Sequence, residues 1–376
     1  MDKREYCNIC ESLLNKNIYY LDNVPVKLSC TSEYIQHFSK LSFSQCNNCN
    51  IIQLDKLIPL ETLYSDSHNY SSCGKVWENY FTLFINKIKN IINDKNILEI
   101  GCPSGKLATN INNYNKWFIV EPNKNSSIKF NENIVFIEKF FDNNFTIDTT
   151  IDVIVHSHLF EHIYLPNEFL KRCHDILKDD GEMIFGVPNM SYFAEKNITP
   201  FLGVFFEHTV FLNKENICYL LDKNNFEVVE IIDYENHSTI YHCKKNKKRN
   251  KLIYDDNVKF TNYYDSFMES IYIFTNFVKK FNDIILNNTD KDVYMFGASY
   301  NTQYLLALGI NTNNIKGILD NCKEKQNKYF YGYDLLIQSP EIIKSKECIV
   351  ILKNGYYVNE IKDQLLSINK NTIIII

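Results

Sequence analysis

From Asn96 to Val187 the chain repeats one pattern. A short run of apolar, mostly β-branched residues is followed by a break and then by a segment with helical spacing. Asn96-Ile97-Leu98-Glu99-Ile100, Trp117-Phe118-Ile119-Val120-Glu121, Ile134-Val135-Phe136-Ile137, Ile151-Asp152-Val153-Ile154-Val155 and the run from Gly181 to Val187 read as strands. Lys106 to Asn112 and Glu168 to Leu177 read as helices. Periods of two and 3.6 residues in alternation predict an α/β fold, with a parallel sheet covered by helices. A helix is expected ahead of this block, from about residue 75 to 95. A second, smaller block of the same style starts at Asp292 and includes Ile315–Asp320 and Cys348–Leu352, after a long helical segment over 257–290. A chain of 376 residues exceeds one ordinary core. The expected organisation is three units, 1–65, 66–245 and 246–376. The basic stretch Lys244 to Arg249 reads as a solvated linker between the last two.

The first strand of the block ends in Leu98-Glu99-Ile100-Gly101-Cys102-Pro103-Ser104-Gly105. Glycines there allow a tight turn and close approach of a ligand to the backbone at the carboxyl edge of the sheet. A dinucleotide site would carry G-x-G-x-x-G, which Pro103 breaks. The loop resembles motif I of class I methyltransferases, E-x-G-x-x-x-G. That resemblance implies a Rossmann-like methyltransferase core and S-adenosylmethionine as cofactor, with Glu99, Gly101, Ser104 and Gly105 around it. Glu121, at the end of the next strand and followed by Pro122, has the position of an acid that accepts both ribose hydroxyls. Phe141, before Asp142, falls where the family places the adenine edge. His158, in His156-Ser157-His158-Leu159-Phe160-Glu161-His162-Ile163, resembles the family's H-x-L-E-H-I segment beside the cofactor.

At the N-terminus, Cys7-Asn8-Ile9-Cys10 and Cys46-Asn47-Asn48-Cys49 form two pairs of identical spacing. Four thiolates in two such pairs suit a closed, tetrahedral, structural zinc site whose binding energy holds together a segment with little core. The other eight of the twelve cysteines are expected to be ordinary reduced thiols. No signal-like or membrane-length apolar run is present, so a cytoplasmic location is expected, with no membrane partner. The formal charge of −5 argues against a nucleic-acid partner held by a general basic field.

Phe205-Phe206-Glu207-His208 is the remaining candidate for chemistry, because a carboxylate beside a histidine can make a tuned base. Here the resemblance extends over nearly the whole chain. Two C-x-x-C pairs, His68-Asn69-Tyr70-Ser71-Ser72, the methyltransferase core, Glu207-His208 and Gly297-Ala298-Ser299-Tyr300-Asn301-Thr302 with Leu319-Asp320 and Lys325 resemble the three-domain nucleotide-sugar C-methyltransferases. That likeness implies a nucleotide-linked sugar as substrate, lined by Tyr70, His162, Glu207 and His208, with C-methylation of a keto-deoxysugar favoured. The family's Tyr two residues before the Glu is Phe205 here, and the His158 and Glu161 pattern is similar to sugar O-methyltransferases of surface-polysaccharide pathways. Methylation of a hydroxyl is therefore the second reading, and a non-catalytic zinc and Rossmann scaffold the third. Oligomeric state is left open.

Overall fold

The structure is a computed structural model that describes residues 2–64, 74–123, 130–246, 259–353 and 357–376. Its centre is a seven-stranded sheet. Counted along the chain from Asn96–Ile100, the strand order is 3-2-1-4-5-7-6. The first five strands are parallel, and Ser238–Lys245 runs antiparallel between Leu177–Pro188 and Phe226–Tyr234. The interior strands are buried on both faces, which explains their nearly continuous apolar sequence. One face carries helix Lys75–Lys89, whose Tyr80, Phe84 and Ile88 pack with Ile97, Trp117, Ile119, Val153 and Val155. The other face packs Leu98, Ile100, Ile154, Phe185 and Tyr241 against Phe169, Leu170 and Phe160.

Several elements differ from expectation. Lys244 and Lys245 are not linker: they close the last strand, pairing with Glu227 and Phe226, and Lys245 Nζ donates to the Leu177 carbonyl at 2.7 Å. A long lysine stem lets the strand end in charge without losing its ladder. Residues 247–258 lie outside the described residues. The first helix stops at Lys89, and the long helix spans Tyr264–Asn287. The N-terminal unit is more regular than its sequence suggests, with antiparallel strands Asn17–Pro25, Phe38–Gln45 and Ile52–Leu54.

The C-terminal unit is a five-stranded parallel sheet, with Asp292–Phe296 between Ile315–Leu319 and Cys348–Leu352. It is stitched to the N-terminal unit. Cys30–Thr31 pairs antiparallel with Tyr329–Phe330, and Gln303 Nε2 donates to the Lys27 carbonyl at 2.6 Å. Among the described residues no helix is long and apolar enough to cross a membrane. Cys30, Cys173, Cys243 and Cys348 are buried cysteines outside any disulfide, while Cys102, Cys218 and Cys322 are partly exposed. Cys73 lies outside the described residues.

The seam between the central strands holds a polar cluster. Glu182 accepts from His242 Nε2 at 2.6 Å and from Lys95 Nζ at 3.1 Å. The bond from His242, with help from Lys95, pulls the Glu182 carboxyl down to about 2. A carboxylate depressed in the folded state stabilises the fold above its unfolded pKa and stops doing so as pH falls through the folded one. The wild type should therefore lose stability between about pH 4.5 and 2 from this group. Glu182→Gln should show a flatter stability profile in that window, read by urea unfolding at stepped pH.

Candidate functional site

The loop after the first central strand has the backbone its glycines allow. Gly101 has a φ of 76° and Gly105 a φ of 56°. A Cβ at Gly101 would lie 2.9 Å from Leu159 Cδ1, and one at Gly105 would lie 2.5 Å from Phe130 Cε1. The positive φ favours glycine at both positions, and a side chain there would also push Leu159 or Phe130 aside. Ser104 is exposed on the loop. Glu99 is turned to the helix-covered face: it is 1% exposed, accepts from Trp117 Nε1 at 2.7 Å, and burial raises its carboxyl to about 7. It braces the loop from below.

Glu121 ends the neighbouring strand beside Pro122. It is 7% exposed, accepts from the Asn123 amide at 2.9 Å, and burial shifts its pKa upward. A buried acid that has no cation partner among the described residues and sits at the carboxyl edge is suited to a ligand's hydroxyl pair. Phe141 packs on Phe145 and Phe169, giving an apolar wall. His158 takes a left-handed φ of 51°, and its ring is held between hydroxyls, with Nδ1 3.1 Å from Ser157 Oγ and Nε2 3.1 Å from Ser238 Oγ. The glycine cradle and the buried Glu121 fit the S-adenosylmethionine expected from the loop.

A cavity of about 670 Å³ opens between the central and C-terminal units. Trp77, His158, Glu161, His162 and His208 line one side. Gly297, Tyr300, Asp320 and Lys325 line the other. On the C-terminal side, Asp320 fastens the loop: its carboxylate accepts from the amides of Ala298 and Cys322, both at 2.8 Å, while Lys325 Nζ donates to the Ala298 carbonyl at 2.9 Å.

The structure brings His162 and His208 together, their rings 4.6 Å apart and edge to face. Glu161 joins them, with its carboxylate oxygen and one nitrogen of each ring all within 4.8 Å of one another. Sequence reasoning left Glu161 out of the site and named Glu207 as the carboxylate beside His208. Glu207 is buried, and its Oε1 accepts from the Leu28 amide at 3.4 Å, so it faces the N-terminal unit. The chain signal for Glu161 was its adjacency to His162 in a strand-end turn. Burial, then the nearby His162 and His158, hold the His208 pKa well below its usual value, against a hydrogen bond to Gly203. Tyr64 also enters the site, with Oη 3.1 Å from His162 Nδ1. Tyr70 lies outside the described residues. Phe205 stacks parallel on Tyr300 at 5.6 Å and touches the His208 ring at 4.4 Å.

Away from the cavity, Cys7, Cys10, Cys46 and Cys49 converge, all buried. Cys7 and Cys49 Sγ atoms are 3.6 Å apart, as are those of Cys10 and Cys46. Four sulfurs about 2.3 Å from a tetrahedral ion would be about 3.8 Å from one another. The cluster has the size and the donor set for zinc.

Residues 76–231 match the family model of a methyltransferase domain, and residues 244–375 match that of a C-methyltransferase C-terminal domain. No curated protein matches the chain. Among solved structures, the N-methyltransferase NodS from Bradyrhizobium japonicum WM9 is 12% identical, with a TM-score of 0.36, covering 46% of this chain and 97% of its own. The NodS complex with S-adenosyl-L-homocysteine scores 0.37 at 12% identity, over 47% and 90%. An S-adenosylmethionine-dependent methyltransferase from Mesorhizobium loti is 9% identical, with a TM-score of 0.35 over 43% and 95%. The two domain matches cover the glycine loop with its parallel sheet and the smaller sheet behind the cavity. The chain is thus an S-adenosylmethionine-dependent methyltransferase of class I, Rossmann-like fold, with a C-methyltransferase C-terminal domain.

Proposed function

We propose that the enzyme methylates a nucleotide-linked sugar held in the cavity between the central and C-terminal units, and that C-methylation of a keto-deoxysugar is the favoured reaction. The observation that carries this reading is the cavity itself. One wall holds the His162, His208 and Glu161 cluster, and the other belongs to the C-methyltransferase C-terminal domain. S-adenosylmethionine supplies an electrophilic methyl group. The residues then have two tasks, alignment and deprotonation.

His208 is the proposed base. Its lowered pKa keeps the ring neutral at pH 7 and ready to accept a proton. His162, oriented by Tyr64, and Tyr70 contact the sugar, and Glu207 holds the N-terminal segment to the loop that carries His208. His208→Ala should lower turnover by roughly 10² or more, the usual worth of a positioned base, while cofactor affinity is unchanged. Steady-state kinetics with a panel of nucleotide-linked keto and hydroxy sugars tests this, and full activity of the variant removes His208 as base. Phe205 favours a second reading, a hydroxyl acceptor, because it offers no phenol to an enolate oxygen. Product NMR separates them by the position of the methyl, on ring carbon or on oxygen.

Glu121 is proposed to take the ribose hydroxyls of the cofactor. Glu121→Ala should weaken S-adenosylmethionine binding by about 2 kcal/mol, as for charge-assisted hydrogen bonds. Calorimetric titration reads the change, and unchanged affinity means that the cofactor lies elsewhere.

The four-cysteine cluster is proposed to hold one structural zinc. Zinc there would be closed to substrate and would stabilise the N-terminal unit. Cys46→Ser should lose the metal and destabilise this unit, and elemental analysis of the purified wild type should find about one zinc per chain. A wild type without zinc, with all four thiols freely titratable, overturns the assignment.

A further inference from the structure

Among the described residues Glu161 is the carboxylate that stands with the imidazoles of His162 and His208, and its surroundings are unusual for an acid. It lies in the turn Phe160–His162, 1% exposed, yet it lines the cavity. Among the described residues its buried Oε2 has no hydrogen-bond partner. Among the described residues no Lys or Arg forms a salt bridge with it. Among the described residues the groups facing it are His162, His208, Tyr64 and Tyr80, from the turn itself, the 205–208 loop, the end of the N-terminal unit and the helix Lys75–Lys89. None of these is a fixed positive charge. A buried acid without a cation is stable only when neutral, and a neutral carboxyl is a hydrogen-bond donor.

We propose that Glu161 is a further catalytic residue, a neutral carboxyl that donates a hydrogen bond to the oxygen on which negative charge develops in the methyl acceptor. This rests on the C-methylation reading above. His208 takes the proton from the carbon beside the carbonyl, and that C–H electron pair becomes the C=C bond of an enolate. The carbonyl oxygen gains the charge and is held by the Glu161 O–H. The enolate carbon then forms its bond to the methyl carbon, the methyl–sulfur bond breaks, and its electron pair stays on sulfur as S-adenosylhomocysteine. The carbonyl re-forms, and the proton on His208 goes to solvent. The donor thus does not depend on a phenol at position 205. A preorganised donor at a developing oxyanion acts most strongly in such a water-poor site. A carboxylic acid kept neutral by an apolar site so that it can donate is established chemistry in other enzymes.

Burial alone raises the Glu161 carboxyl to about 8. A group raised in this way donates below that pH and stops donating as pH rises through it, so turnover should fall above about pH 8. The test compares Glu161→Gln, which keeps a donor of the same shape, with Glu161→Ala. Turnover is measured on a panel of nucleotide-diphosphate-linked 4-keto sugars, with S-adenosylmethionine affinity and thermal melting as controls. Glu161→Ala should lose roughly 10²–10³ in kcat, the usual worth of one oxyanion donor. Glu161→Gln should lose less than about tenfold and lack the fall above pH 8. Infrared difference spectra of wild type minus Glu161→Gln at pH 7 should show a protonated-carboxyl band, a readout that needs no substrate and survives if the alanine variant does not fold. Three results overturn the proposal: no such band, equal turnover in all three proteins, or a glutamine variant as slow as the alanine one in an enzyme that needs an added divalent cation. The last would make Glu161, His162 and His208 a metal site instead. Failure of the underlying reading looks different: wild-type product carrying an O-methyl group.

Discussion

The stretch Thr209–Phe211 pairs as a short extra strand with Ile52–Leu54, and much of the cavity wall depends on that pairing. Leu54 N donates to the Thr209 carbonyl at 2.8 Å, and Phe211 N to the Ile52 carbonyl at 3.0 Å. Arg4 locks the seam. Its guanidinium is 7% exposed and donates to the carbonyls of Leu54, Thr209 and Tyr164 and to Thr209 Oγ1. One buried cation thus ties the N-terminal unit to the loop carrying His208 and to the segment just after His162. A guanidinium without these carbonyls would be costly to bury, so the three segments hold one another in place. The cysteine cluster adjoins this seam. Gln53, fully buried and bridged to Val210, accepts from the Asn8 amide and donates to Cys7 Sγ at 3.2 Å. A metal bound by the cysteines would thereby stiffen the backbone two residues from His208, which gives a structural zinc a route to catalysis without contact with substrate.

Burial works in opposite directions on the two kinds of group in the cavity. It disfavours whichever form is charged, so it lowers imidazoles and raises carboxyls. His208 falls and Glu161 rises, and at neutral pH both are uncharged. An uncharged pair adds no net charge to the cavity. It also leaves one good acceptor and one good donor in the same small volume, the combination that acid–base work at a carbonyl needs.

How much of this was legible in the sequence depends on range. The central sheet was, because its strands are local apolar runs, and the glycine loop was, because its spacing has a local steric cause. The C-x-x-C pairs also met as expected. What the sequence hid was long-range. Glu161 and Glu207 are equally plausible as carboxylates beside histidines, and only the turn Phe160–His162 and the pairing of Thr209–Phe211 decide that Glu161 faces the rings while Glu207 faces Leu28. Tyr64 was passed over because nothing in its local pattern marks it, although its hydroxyl reaches His162 from the far end of the N-terminal unit. The lysines at 244 and 245 misled because charge outweighs strand pattern in a short window, whereas pairing with Phe226 and Glu227 settles their conformation.

The N-terminal chain also sets the width of the cavity. It pairs with the loop carrying His208 through Ile52–Leu54 and with the C-terminal unit through Cys30–Thr31, and Gln303 adds a bond to Lys27. Both cavity walls are thus anchored to one small antiparallel unit. Phe205, from the loop carrying His208, stacks on Tyr300, from the opposite wall, at 5.6 Å with their planes within 3° of parallel. Such a contact is worth about 0.5–1.5 kcal/mol beyond its buried area, too little to hold two domains by itself but enough to fix one spacing among units already anchored. A tyrosine at position 205 would have to find a partner for its hydroxyl within this stack, beside the buried ring of Tyr300. An apolar ring avoids that desolvation cost. The phenylalanine is therefore consistent with the packing between the loop and Tyr300.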